Sequence, residues 1–141
     1  MTEPDLRTLL DRYIEAVWNQ GNPAAVTDFI TPGYERHLSA TAPPLDAEGQ
    51  LRRLKGIQAA FPDATITVED TVIKGDFIAF RSVMRGTHQG EFMGIPATGR
   101  EIEVGLLDLI RVEDGRFAEQ WGGPDLFDLM RQIGGTVGAG S

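Results

Sequence analysis

The stretch TITVEDTVIKGDFIAFRSVMRGTH, Thr65 to His88, decides the fold. Ile66, Val68, Asp70 and Val72 alternate with Thr65, Thr67, Glu69 and Thr71, the two-residue period of a strand with one buried face. Lys74-Gly75-Asp76 then reads as a turn. A second strand runs from Phe77 towards His88. One face carries Ile78, Phe80, Ser82, Met84, Gly86 and His88, and the other carries Arg81 and Arg85. After a turn near Gln89-Gly90 and a loop from Gly94 to Gly99, a strand from Arg100 to Val112 follows. Asp114-Gly115 is a hairpin signal, and Arg116 to Gly122 forms the last strand.

Upstream, the period is helical. Thr2 caps a helix with Pro4 in its first turn, and Leu6, Leu9, Leu10, Tyr13, Ile14, Val17 and Trp18 fall on one face. Gly21 ends it. Asn22-Pro23 opens a short helix that Pro32-Gly33 stops. Residues 34–45 read as irregular. Asp46 caps a third helix with Leu51, Leu54, Ile57 and Phe61 as its buried stripe, while Arg52, Arg53 and Lys55 point elsewhere. A final helix holds Leu126, Leu129, Met130 and Ile133.

Segregated helices and antiparallel strands predict an α+β fold. Curled around the N-terminal helices, such a sheet encloses a pocket. Residues 1–134 read as one domain, and the glycine-rich 135–141 as a flexible tail.

The bulk numbers narrow the function. A chain of 141 residues with 41% apolar and 24% charged residues suits one soluble domain. The absence of cysteine excludes disulfides, zinc thiolates and cysteine nucleophiles. No apolar run is long enough for a membrane span. The acidic N-terminus lacks the basic and apolar regions of a signal peptide, so a cytoplasmic location is expected. The net charge of −8 argues against a nucleic-acid partner. No histidine spacing points to a metal.

Asp108 stands out. Alternation puts it on one face with Val104, Leu106, Ile110 and Val112. Lost hydration there raises a carboxylate's pKa and makes it a useful base; the alternative is an interface Asp paired with an Arg. His88, at the end of an apolar face, suits proton transfer or is an edge histidine bonded to backbone. His37 covers a pocket or sits plainly on the surface. Gln120 shares its face with the small residues Ala118 and Gly122. Trp121 shares the opposite face with Phe117 and reads first as core, as does Trp18. Arg81 and Arg85 read as a solvated sheet face. Leu107 and Leu109 make the second face of their strand apolar too, which suits a homodimer.

Several blocks carry a family resemblance: AVWNQGN (16–22), AFPD (60–63), GTHQGEFMGIPATGREIEV (86–104), DLIRVEDGRFAEQW (108–121) and PDLFDLMRQIG (124–134). Together they resemble the SnoaL-like polyketide cyclases across nearly the whole chain. The resemblance implies a cone-shaped α+β barrel with an internal pocket. It also implies a homodimer and acid–base ring closure of a polyketide-like, hydrophobic small molecule without metal or organic cofactor. Asp108 is then the base, and His88 and Gln120 are polarising or positioning groups. Trp18, His37, Phe92, Met93 and Trp121 are candidates for the substrate-binding wall. Other members of the family hydroxylate their substrates, open epoxides or form ether rings, and the fold also serves as a non-catalytic ligand-binding module.

The resemblance has departures. The acid–base Asp that follows the last strand in the founding cyclases falls at Gly122. Their strand histidine falls at Asp108, and their later histidine at Gln120. A different carboxylate is present: either Asp108 takes over the base role from another wall of the pocket, or the chain runs another reaction.

Overall fold

The computed structural model describes residues 1–134; the expected tail at 135–141 lies outside the described residues. In chain order the elements are α1 (Glu3–Tyr13), a π-helical segment (Ile14–Asn19), a 3-10 segment (Pro23–Asp28), β1 (Ile30–His37), α2 (Ala47–Ala60), β2 (Thr65–Lys74), β3 (Phe77–Thr87), β4 (Glu101–Glu113), β5 (Arg116–Pro124) and α3 (Leu126–Gln132). The five strands form one sheet in the order β1-β5-β4-β3-β2. The helices pack against its inner face, and one apolar cluster runs through both layers. No described helix is long and apolar enough to cross a membrane.

The helix caps follow the sequence signals. Thr2 and Asp5 form a capping box on α1, and the Asp46 carboxylate accepts from the Gly49 N–H at the start of α2. The first helix differs from expectation after Tyr13, where it widens. The Gln20 N–H reaches five residues back to the Glu15 carbonyl at 2.8 Å. The wider turn brings residues five apart together, so the Trp18 Nε1–H donates to the Tyr13 hydroxyl at 3.2 Å. Asn19 then pins the segment to β2, accepting from the Ile66 N–H at 2.7 Å and donating to the Ile66 carbonyl at 3.2 Å.

Two further expectations are corrected. The segment before α2 is irregular only in part: Ile30–His37 is a strand, parallel to β5, and only 38–44 remain irregular. Its pairing with β5 shifts between Ile30 and Glu35, where Pro32, which has no N–H to give, and Gly33 sit. The sheet is therefore mixed, with four antiparallel strands and one parallel edge. The second correction concerns β5. Arg111 faces Glu119 but Val112 faces Phe117, so Ala118 is an extra residue and the alternation slips there. Phe117 and Gln120 consequently both point inward. Trp121, read as core, turns to the outer face and stacks on His37 with ring centroids 5.2 Å apart.

Candidate active site

β4 keeps strict alternation, with Ile102, Val104, Leu106, Asp108, Ile110 and Val112 all buried. Asp108 is thus a carboxylate on an otherwise apolar inner face, 5% exposed. β1 delivers Tyr34 and Arg36 to the same interior, and β5 delivers Gln120. The Arg36 Nη2 donates to Asp108 Oδ1 at 3.3 Å and to the Gly122 carbonyl at 2.6 Å. The Gln120 Nε2 also donates to Asp108 Oδ1, at 3.3 Å, while its Oε1 accepts from the Tyr34 hydroxyl at 2.8 Å. Tyr34 thereby fixes which end of the Gln120 amide faces Asp108. Both of these bonds to the carboxylate end on Oδ1.

Burial raises the Asp108 pKa above the ordinary carboxylate value, and the opposing pull of Arg36, Gln120 and Arg53 does not cancel it. Burial likewise raises the Tyr13 and Tyr34 hydroxyls. Arg53, on α2, is lowered to about 10, first by burial and then by the neighbouring Arg36.

Asp108 lines a small interior space that adjoins a larger open groove. The interior space, lined by Tyr13, Trp18, Arg36, Arg53, Asp108 and Gln120 among others, holds about 20 Å³, room for one water. Outside it lies an open groove of about 650 Å³, within the range of small-molecule sites. Arg53, Ile57, Phe92 and Pro124 line both spaces.

The candidate residues sort accordingly. Asp108, Gln120, Trp18 and Phe92 line the interior, and Met93, 63% exposed, lines the groove. His88 is fully buried but does not join them. β3 outruns the interior space, and residues 88–90 run beneath the end of α2, where the Gln89 N–H donates to the Ala60 carbonyl. The His88 Nδ1 lies 2.9 Å from the Thr98 hydroxyl, its ring packs on Phe61, and its Nε2 has no partner among the described residues. His37 does not cover the interior either. Alternation along β1 sends Tyr34 and Arg36 in and His37 out, where it lies 2.8 Å from the Glu119 carboxylate. Arg81 and Arg85 pair with Asp70 and Glu103 on the outer face.

The sequence reading missed Tyr13, Tyr34, Arg36 and Arg53 as site residues. For Arg53 a signal existed: it falls between Gln50, Leu54 and Ile57, all on the buried stripe of α2. Arg36 follows Tyr34 by two, the spacing of one strand face, once 30–37 is recognised as a strand.

Gly122 has φ +94°, and a Cβ there would overlap the Leu107 carbonyl oxygen. The position onto which the resemblance maps the founding cyclases' aspartate cannot hold a side chain in this backbone.

Comparison with known proteins agrees with the architecture. Aklanonic acid methyl ester cyclase DnrD of Streptomyces peucetius is 28% identical over 131 residues, covering 89% of this chain and 88% of that protein. Among solved structures, IdmH from Streptomyces antibioticus is 38% identical with a TM-score of 0.78, covering 94% of this chain and 99% of IdmH. TsrD from Streptomyces laurentii is 29% identical with a TM-score of 0.84, covering 96% of this chain and 99% of TsrD. The family model for SnoaL-like polyketide cyclases matches residues 8–133. With that match running from within α1 to the end of α3 and taking in all five strands and the Asp108 cluster, the chain belongs to the SnoaL-like polyketide cyclase family.

Proposed function

We propose that this protein closes a carbon ring in a polyketide-like substrate by acid–base catalysis without an organic cofactor, with Asp108 as the base. The observation that carries the reading is a buried carboxylate on an apolar strand face, in a small interior space that shares Arg53, Ile57, Phe92 and Pro124 with a ligand-sized groove; the substrate reaches it only if that shared wall opens. Asp108 Oδ2 takes a proton from a carbon next to a substrate carbonyl. The electron pair left behind forms an enolate, which attacks a second carbonyl of the same molecule. The carbon–carbon bond forms, and the new alkoxide recovers the proton from Asp108. The product is an isomer of the substrate, and the base is regenerated.

The neighbours supply the rest. The Tyr13 hydroxyl accepts from Trp18 and donates to no protein group among the described residues, so its proton is free to hold the developing oxyanion. Gln120, oriented by Tyr34, is a positioning residue for Asp108. Trp18 and Phe92 serve as walls that align the two reacting carbonyls. His88 takes no part in the chemical step in this reading; with Thr98 it anchors the 94–99 loop. The outer sheet face, with Leu107 67% and Leu109 37% exposed, is the surface we assign to self-association.

The test uses the compounds for which the relatives are named, aklanonic acid methyl ester and nogalonic acid methyl ester, alongside the corresponding free acids. In D2O the protein should take deuterium into the carbon next to a carbonyl and give a product that is a ring-closed isomer. Asp108→Asn should slow this by about 10²–10⁴-fold. Equal exchange by Asp108→Asn and the unaltered protein would sink the base assignment. Oxygen uptake with a heavier product would replace ring closure by hydroxylation.

A further inference from the structure

The polar cluster in the interior space is not electrically balanced. Arg36 from β1 and Arg53 from α2 line the same interior space. A Cβ built on Gly123 would lie 2.9 Å from Arg36 Nη2 and 3.5 Å from Arg53 Nη2, so both guanidinium ends converge on one short piece of backbone. Asp108 is the carboxylate among them, and its ion pair is with Arg36. Among the described residues the ion pairs give Arg53 no carboxylate. The cluster therefore carries one positive charge in excess.

The two arginines are not equivalent. Arg36 is committed, its Nη2 shared between Asp108 and the Gly122 carbonyl, and its buried Nε has no acceptor among the described residues. Arg53 lines both the interior and the open groove. A largely buried guanidinium without a counter-charge loses hydration with no return within the protein. Its planar fork fits a carboxylate with two parallel N–H···O bonds. A ligand carboxylate seated there would balance the cluster and leave the apolar body of the ligand along Ile57 and Phe92. Its charge would also strengthen Asp108 as a base, because a second anion nearby disfavours ionisation of the first.

Resting on the ring-closing reading above, we propose that the substrate enters as a free carboxylate held by Arg53, and not as a methyl ester of the kind named for the relatives. A neutral ester offers the guanidinium one weak acceptor in place of two charged ones.

The probes are anthraquinone-2-carboxylate and its methyl ester, which share size and ring system and differ in the charged group. Binding is read by calorimetry and by quenching of Trp18, which lines the interior. The unaltered protein should bind the acid about tenfold or more tighter than the ester, with the difference shrinking in high salt. Arg53→Gln should bring acid and ester to within about twofold, and Arg53→Lys should keep part of the difference. Equal affinity for acid and ester in the unaltered protein overturns the carboxylate assignment while leaving the groove as a ligand site. A preference that survives Arg53→Gln does the same. Binding of neither probe overturns both this assignment and the groove's role in ring closure.

Discussion

Gly122 offers a sharp test, because alignment and geometry give opposite answers there. Restoring the aspartate of the founding cyclases by Gly122→Asp looks from sequence like a gain of catalytic power. The structure predicts a damaged protein instead. At φ +94° a side chain costs about 1–2 kcal/mol. Its Cβ would overlap the Leu107 carbonyl oxygen and stand 3.1 Å from the Leu107 carbonyl carbon and 3.2 Å from the Asp108 Cα. These are backbone atoms of the paired strand, so no rotamer change relieves them. β5 must peel from β4 at the Asp108–Gly122 pair, and each ladder bond lost there costs about 0.5–1.5 kcal/mol. Together the substitution should cost about 3–5 kcal/mol, a large share of a typical domain's stability. Urea unfolding followed by circular dichroism measures it, with Gly122→Ala alongside to separate the Cβ from the charge. Both variants should lose at least about 3 kcal/mol and lose turnover. If Gly122→Ala stays within about 1 kcal/mol of the unaltered protein, the strand end relaxes freely and the geometric argument is wrong.

Asp108→Asn should slow turnover by about 10²–10⁴-fold, and at pH 7 it should also lower stability, because it leaves the buried Arg36 guanidinium without its counter-charge. The raised pKa of Asp108 means that the folded state binds its proton more tightly than the unfolded chain. Its contribution is therefore favourable at acid pH and is lost as pH rises through the folded-state value, so the variant should flatten that part of the stability–pH curve. Arg36→Met should cost about 3–5 kcal/mol at pH 7 by stranding the Asp108 charge, and the loss should shrink at acid pH, where Asp108 is neutral; urea titrations at two pH values decide this. Leu109→Arg should shift sedimentation to that of a monomer while leaving the circular dichroism spectrum unchanged, whereas an unaltered protein that already sediments as a monomer at micromolar concentration would end the homodimer assignment.

The two-residue period made most of the sheet legible before any coordinates, because β3 and β4 keep one face buried; in β2 the alternation holds only to Val68, since the register shifts at Glu69 and leaves Val72 66% exposed. It also put Asp108 on one face with Val104, Leu106, Ile110 and Val112, and that face is the buried one, since β4 stays regular around that position. Where the pattern failed, the backbone is irregular. The bulge at Ala118 flips everything after it, so counting from Phe117 sent Trp121 inward when it lies outside. Plain alternation put Gln120 on the face opposite Phe117, and the bulge brings both to the inner face. β1 was hidden by Pro32-Gly33, which break its pairing in the middle, and with it went Tyr34 and Arg36. Arg53 was lost in the charged run Arg52-Arg53-Lys55, where a surface reading comes first. The π-helical segment leaves no distinct mark on an apolar stripe, although it is what brings Trp18 to Tyr13. His88 was correctly read as lying at the end of an apolar face, but how far that face extends past the interior is set by α2, a long-range contact outside any local pattern.

Whether Asp108 is a desolvated base is decided by its carboxyl-carbon NMR titration, with Asp108→Asn assigning the signal. A desolvated base titrates with a midpoint above the ordinary aspartate value of about 3.9. A midpoint at or below that value would mean that Arg36 holds Asp108 as a plain ion pair, and would contradict its role as the base.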